Sequence, residues 1–271
     1  GTVMMYPSPT FVMYSVNATL SGMKGVGVPL REDFSFDAGR FIERMRAEKP
    51  ALVFIAYPNN PTGVLYPEED IVDVIKACPG LVVVDEASVM PTRALERLAH
   101  AEAYHAFARK TFMPRLAEFP NLVVVRTVSK LGLAGIRLGY MAGRPEWIQE
   151  FNKVRQAYNV NVLTQAAALF VLERLEVLEA QAARIRADRS TLAEGMKALA
   201  GVTVFPSEAN FFLVRVSDAD ATYEALKQQG VLVRNLHPAL AQCLRINVGT
   251  PDENRILLTA LREALSLTGL K

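Results

Sequence analysis

The chain has 271 residues, of which 51% are hydrophobic and 21% charged, enough to bury one large core or two unequal ones. Thirty basic against twenty-eight acidic residues leave a formal charge of +2. There is no polybasic run, which sets aside nucleic acid and anionic membrane as main partners and leaves small anions open. Cys78 and Cys243 lie far apart with no metal-ligand spacing, and every apolar run is interrupted before it reaches bilayer length, so the chain reads as a soluble protein of a reducing cytoplasm.

The opening GTVMMYPSPTF reads as an apolar strand entering a Pro-rich turn, as though the chain began inside a domain. Short β-branched runs follow at 51–58 (ALVFIAYP), 81–87 (LVVVDEA), 121–130 (NLVVVRTVSK) and 137–143 (RLGYMAG). They alternate with amphipathic stretches, the pattern of an α/β fold whose sheet is mostly parallel. The segment YPEEDIVDVIKACPG predicts a helix, with Pro67 and acidic residues in its first turn and Gly80 past its end. Residues 88–103 lack strand character, and PTRALERLAHAEA within them predicts a short helix opening at Pro91. From Pro145 to Met196 the reading is almost all helix, too long to run without a bend or break. The remainder alternates strands with helices, DADATYEALKQQG and a last one from Pro251. The expected organisation is a large domain over 1–155, connecting helices over 156–195 and a small α+β domain over 196–271, two lobes with a cleft between them.

Asp85 ends an apolar strand, and a carboxylate there needs a positive partner; Glu86 reads as its more exposed neighbour. Lys130 ends another strand, and YPNNPTG follows a third. In open α/β sheets the carboxyl ends of strands face the ligand crevice, so the three can converge. Singly each has a plain alternative: a solvated lysine, a helix cap, a turn. Together an amine, a carboxylate and an amide match a pyridoxal phosphate site, with the amine forming a Schiff base and the carboxylate holding the pyridine nitrogen protonated. His100, His105 and His237 have no cluster spacing, and no metal site is expected.

YPNNPTG, VVVDEA and RTVSKLGLAGIRLGY, in that order at successive strand ends, resemble the fold type I aminotransferases. PSPTFVMYSVNATLSG, EFPNLVVVRTVSK and LVRN…CLRINVGTPDEN look most like the histidinol-phosphate aminotransferases among them. The resemblance implies a homodimer that uses pyridoxal 5′-phosphate to move an amino group between L-histidinol phosphate and 2-oxoglutarate in histidine biosynthesis. It implies that Lys130 forms the Schiff base and then shuttles a proton. Asp85 would pair with the pyridinium, Asn60 bond the ring hydroxyl, and Phe11 stack on the ring. Ser129 and Arg137 would hold the cofactor phosphate, Arg245 the substrate α-carboxylate and Arg234 the substrate phosphate. Both arginines could instead be strand residues with solvated heads.

Three departures stand out. The family carries a further N-terminal segment with a phosphate-binding helix turn; were this chain whole, Ser129 and Arg137 would hold the phosphate alone and the sheet would lose elements beside its first strand. The family's DEAY is split here, because removing 88–103 restores DEAYHAF and shortens the Asp85 to Lys130 separation from forty-five residues to twenty-nine. Those sixteen residues therefore read as an insertion, and Tyr104 inherits the tyrosine that bonds the ring hydroxyl. The link between Arg234 and Arg245 is also shorter than expected. The alternatives are another fold type I enzyme, an aromatic transaminase or a phospho-amino-acid decarboxylase, or a chain that no longer catalyses.

Overall fold

The computed structural model describes residues 1–86, 108 and 110–268. The expected insertion at 88–103, its short helix and Tyr104 lie outside them. The chain divides into two compact units, Gly1–Asn60 with Leu65–Ala180, and Pro61–Val64 with Gln181–Lys271.

The first unit is built on a six-stranded sheet. Its elements are β1 (Val3–Ser8), α1 (Met13–Leu20), β2 (Lys24–Pro29), α2 (Ala38–Glu48), β3 (Leu52–Ala56), α3 (Glu68–Ala77), β4 (Leu81–Asp85), β5 (Leu122–Thr127), β6 (Gly139–Gly143), α4 (Pro145–Val154) and α5 (Val162–Leu172). The strand order is β2-β1-β3-β4-β5-β6. All pairs are parallel except β5 with β6. β1 lies between β2 and β3.

Leu81, Val82, Val83 and Val84 are all buried, as expected of a central parallel strand with both faces covered. Leu81, Val83 and Val123 form one packed layer with Phe54 and with Phe151 of α4. Each fully buried Val or Leu adds about 1.5–3 kcal/mol to this sheet. In α3, Glu68, Glu69 and Asp70 occupy the first turn while Ile71, Val74 and Ile75 turn inward, so the carboxylates meet the positive end of the helix dipole.

The long helical stretch is broken twice. Arg155 is extended after α4, Asn161 caps α5 by accepting from the Thr164 amide at 2.9 Å, and α6 (Leu175–Lys197) follows, its residues shared between both units. Three elements were not foreseen: α1, β2 and α2. In β2 every second residue after Lys24 is Gly, Gly or Pro, which hides the strand signal; Gly25 leaves room for the Tyr6 hydroxyl, 2.9 Å from where a Cβ would sit. The α2 signal was present, with Asp37 capping the Arg40 amide and Phe41 and Met45 four apart on the buried face.

The second unit is an antiparallel sheet of β7 (Thr203–Val204), β8 (Phe211–Arg215), β9 (Arg234–Asn235) and β10 (Cys243–Asn247), ordered β7-β8-β10-β9. With it lie α7 (Ala219–Gln228) and α8 (Pro251–Thr268). Its core joins Leu192 and Met196 of α6 to Val214, Leu226, Leu244 and Leu261. Gly63 belongs to this unit at φ +78, and a Cβ there would collide with Ser207; its carbonyl accepts from the Glu208 amide at 2.9 Å. Only glycine adopts that conformation without strain.

Candidate active site

Five of the expected site residues follow the carboxyl end of a parallel strand in the first unit. Phe11 follows β1, Asn60 follows β3, Asp85 closes β4, and Ser129 and Lys130 follow β5. The pairings Ala56 with Asp85 and Asp85 with Val125 set the strand ends level. Because the strands run the same way, these residues share one edge of the sheet, where open α/β sheets bind ligands.

Asp85 is half-buried and has a protein partner that sequence did not suggest. The Tyr14 hydroxyl donates to its Oδ2 at 2.6 Å, the short distance of a bond to an ionised acceptor. Tyr14 is buried in α1, stacked on Phe54 with ring centroids 4.8 Å apart. Burial first, and the Asp85 charge second, push the Tyr14 hydroxyl well above its ordinary pKa, so it remains a donor.

Glu86 reverses the expectation that it would be the more exposed carboxylate: it is completely buried. The cause is Arg126 on β5, itself 2% exposed, whose Nε and Nη2 reach Glu86 Oε2 at 2.8 and 2.7 Å. The Phe112 amide donates to Oε1 at 2.7 Å and the Thr111 hydroxyl lies 2.8 and 3.0 Å from the two oxygens. Burial pushes the Glu86 carboxyl up, and Arg126 leads the groups that pull it back. This clasp ties β4 to β5 directly beyond Asp85, and closes the chain at residues 111–112 onto the point it left at residue 86.

Lys130 is exposed in a 3-10 turn, Ser129–Leu131, and makes no hydrogen bond or ion pair among the described residues. Its neighbour Ser129 is fixed by Thr127, whose hydroxyl oxygen accepts from the Ser129 amide at 3.1 Å and lies 2.8 Å from Ser129 Oγ. Arg137 sits in the same connection at φ 51 and ψ 42, a left-handed conformation uncommon for a residue with a Cβ. Thr164 of α5 steadies this turn by donating to the Ile136 carbonyl at 2.9 Å.

Asn59, rather than Asn60, is the fully buried amide of the pair. It accepts from Thr10 at 2.6 Å and donates to the Pro9 carbonyl at 3.0 Å, binding the β1 turn to the β3 turn. Asn60 is half-buried beside it. Phe11, 39% exposed, meets Tyr14 edge to face at 5.7 Å. The turn that carries Phe11 is thus held before it by Thr10 and after it by Tyr14.

In the second unit, Arg234 and Arg245 are direct partners across β9 and β10. Directly opposed residues of an antiparallel pair share one face, and like charges there are destabilising. Arg245 lies over the Phe211 ring at 5.1 Å. Burial first, and Arg234 second, hold the Arg245 guanidinium below its ordinary pKa. The short link between the two strands does not prevent the two cations from facing the same way.

The donor set fits pyridoxal phosphate. A carboxylate closing a buried strand, an exposed amine with no partner among the described residues, an amide, and a hydroxyl and a guanidinium in the connection after β5 lie at the carboxyl ends of consecutive strands, and this cofactor offers a cationic ring nitrogen, an aldehyde, a ring hydroxyl and a phosphate. Tyr14, Asn59, Arg126 and Thr111 are the residues that sequence reading missed. Only Tyr14 carried a local signal, as a second aromatic three residues after Phe11.

The family model described as aminotransferase class I and II matches residues 1–261. The chain is 50% identical over 273 residues to histidinol-phosphate aminotransferase 2 of Cupriavidus pinatubonensis, covering 98% of this chain and 70% of that protein. It is 49% identical to the histidinol-phosphate aminotransferase of Chromobacterium violaceum, covering 97% and 70%. Among solved structures, histidinol-phosphate aminotransferase of Sinorhizobium meliloti in complex with pyridoxal-5′-phosphate matches with a TM-score of 0.81 at 26% identity, over 99% of this chain and 71% of that one. A model match over nearly the whole length and half-identical relatives place the chain in the class I and II aminotransferase family.

Proposed function

We infer that the chain is a histidinol-phosphate aminotransferase, moving the amino group of L-histidinol phosphate to 2-oxoglutarate to yield imidazole acetol phosphate and L-glutamate in histidine biosynthesis. The observation that carries this reading is that Asp85, Lys130, Asn60 and Phe11 lie at or just after strand ends along one edge of the parallel sheet, in a chain half-identical to such enzymes.

Pyridoxal phosphate, when bound, supplies an electron sink that stabilises negative charge at the substrate Cα. The rest falls to the protein. Asp85 holds the ring nitrogen, Asn60 donates to the ring hydroxyl, and Phe11 covers one ring face. Ser129 and Arg137 hold the phosphate, a guanidinium fork matching its oxygens. The Lys130 amine takes the proton from Cα and returns it at the adjacent position. Arg245 binds the α-carboxylate of the 2-oxo acid partner, and Arg234 the phosphate that separates histidinol phosphate from ordinary amino acids. Two guanidinium groups opposed on adjacent strands are relieved by an anion between them, which supports this assignment.

We also propose the division into a large domain over 1–155, connecting helices over 156–195 and a small domain over 196–271. A homodimer is the proposed assembly, supported by the exposed apolar stripe of Val162, Leu163, Leu169 and Phe170 on α5. The cytoplasm is the proposed location, consistent with Cys78 and Cys243 both being free thiols; among the described residues no helix is long and apolar enough to cross a membrane.

The test is glutamate formation from L-histidinol phosphate and 2-oxoglutarate by purified chain supplied with pyridoxal phosphate, beside a panel of aromatic amino acids. Turnover of the phosphate-bearing donor above the panel is expected. Equal or greater turnover of an unphosphorylated donor would overturn the substrate assignment.

A further inference from the structure

We propose that Tyr14 is a positioning residue for the cofactor: its hydroxyl orients the Asp85 carboxylate toward the ring nitrogen while its ring aligns Phe11. This rests on the reading above that Asp85 receives that nitrogen.

The geometry has two parts. On one side, Tyr14 donates to Asp85 Oδ2 at 2.6 Å across seventy-one residues of sequence. A carboxylate oxygen can accept more than one hydrogen bond, so this contact fixes the group's rotation without excluding a ring N–H. A hydrogen bond donated to a carboxylate also favours its ionised form, the form that a protonated ring nitrogen needs opposite it. On the other side, the Tyr14 ring is held in place, stacked on Phe54 at 4.8 Å and tilted against Tyr6 at 6.2 Å. Phe11 meets that ring edge to face at 5.7 Å. One side chain thereby couples the residue expected under the ring with the residue expected at its nitrogen.

The contact is not a generic core feature. Tyr14 is 4% exposed, and phenylalanine would fill the same space without burying a hydroxyl. Retaining the oxygen makes sense only through its acceptor, and that acceptor ends the central strand at the ligand edge. Burial raises the Tyr14 pKa, which keeps the proton on its oxygen and the direction of the bond unambiguous.

The experiment compares wild type with Tyr14→Phe, which keeps the stack on Phe54 and the contact with Phe11. Affinity is measured by titrating apoprotein with pyridoxal phosphate and, separately, with the 1-deaza analogue, whose ring has C–H in place of nitrogen. Melting of the apoprotein checks the fold. Losing a bond to a charged acceptor weakens an affinity by roughly ten- to a hundredfold. The expected result is a loss of that order for pyridoxal phosphate and less than about threefold for the analogue, with an apoprotein that melts at a lower temperature but still in one cooperative transition. An equal loss for both ligands would overturn the proposal, because Tyr14 would then act by packing alone. No loss for either would overturn it too. Wild-type protein that takes up no pyridoxal phosphate would instead overturn the underlying cofactor reading, and the proposal with it.

Discussion

Arg126→Met would break the clasp behind Asp85. The substitution keeps an unbranched apolar stem in a 2% exposed position and removes the two guanidinium contacts to Glu86 Oε2 at 2.8 and 2.7 Å. The Phe112 amide and Thr111 hydroxyl remain, so the carboxylate keeps neutral donors but loses its counter-charge. Two hydrogen bonds to a charged group at about 1.5–3 kcal/mol each set the scale, and removing one partner of a buried ion pair costs about 3–5 kcal/mol. Adding Glu86→Gln to Arg126→Met removes the stranded charge and should recover roughly half of that loss. Urea unfolding followed by Trp147, the single tryptophan, reports on the right region, since its indole donates to the Pro120 carbonyl at 2.8 Å just before β5.

The pH dependence has a definite sign. Burial already raises the folded-state pKa of Glu86 above its unfolded value, with Arg126 the main opposing influence. The folded state therefore takes up this proton first as pH falls, and without Arg126 the shift is larger. Ionised Glu86 costs stability above its folded pKa, and that cost is relieved as pH drops toward the unfolded value of about 4.3. The gap between Arg126→Met and wild type should thus narrow from pH 7 to pH 5. A loss below about 1 kcal/mol at pH 7, or a gap that widens on acidification, would refute the view that Glu86 and Arg126 form a coupled buried pair.

Other perturbations address the remaining parts. Asn59→Ala removes two bonds between the β1 and β3 turns and should cost about 1–3 kcal/mol in the same unfolding assay; a change below about 0.5 kcal/mol would show that the turns hold without it. Deleting residues 88–103 should leave a folded protein of equal or slightly greater stability. Glu86 already binds residues 111 and 112, and shortening the connection threefold contributes only about 1 kcal/mol of loop entropy; an insoluble or unfolded product would contradict this. Arg234→Ala should raise the KM for L-histidinol phosphate by tenfold or more, the scale of a lost charge-assisted contact, while leaving folding stability unchanged or improved because a like charge opposite Arg245 is gone. An unchanged KM would remove Arg234 from the substrate site.

What could be read from sequence was local. The β-branched runs ending in Asp85 and before Lys130 carried both the parallel sheet and the strand-end chemistry, since a buried strand and the turn after it are contiguous in the chain. The helix at Glu68–Ala77 was legible from Pro67, its acidic first turn and its apolar period. Pairings across long separations were not. Glu86 and Arg126 are forty residues apart, and nothing beside Glu86 hints that an arginine on the next strand would neutralise it, so its burial was misjudged. Tyr14 looked like one more aromatic after PTF because its acceptor is seventy-one residues away. Asn59 was overshadowed by Asn60, although side-chain burial, which sequence does not display, separates their surroundings. The strand Lys24–Pro29 escaped because its glycines suppress the alternation that marks a strand.

The most direct test of the account concerns Lys130. Purified chain incubated with pyridoxal phosphate, reduced with borohydride and digested should yield one cofactor-bearing peptide, modified at the lysine of VSK. Lys130→Ala should yield none while keeping the wild-type fold by Trp147 fluorescence. Modification at another lysine, or no modification of the folded wild-type chain, would contradict the placement of the reactive amine on the turn after β5.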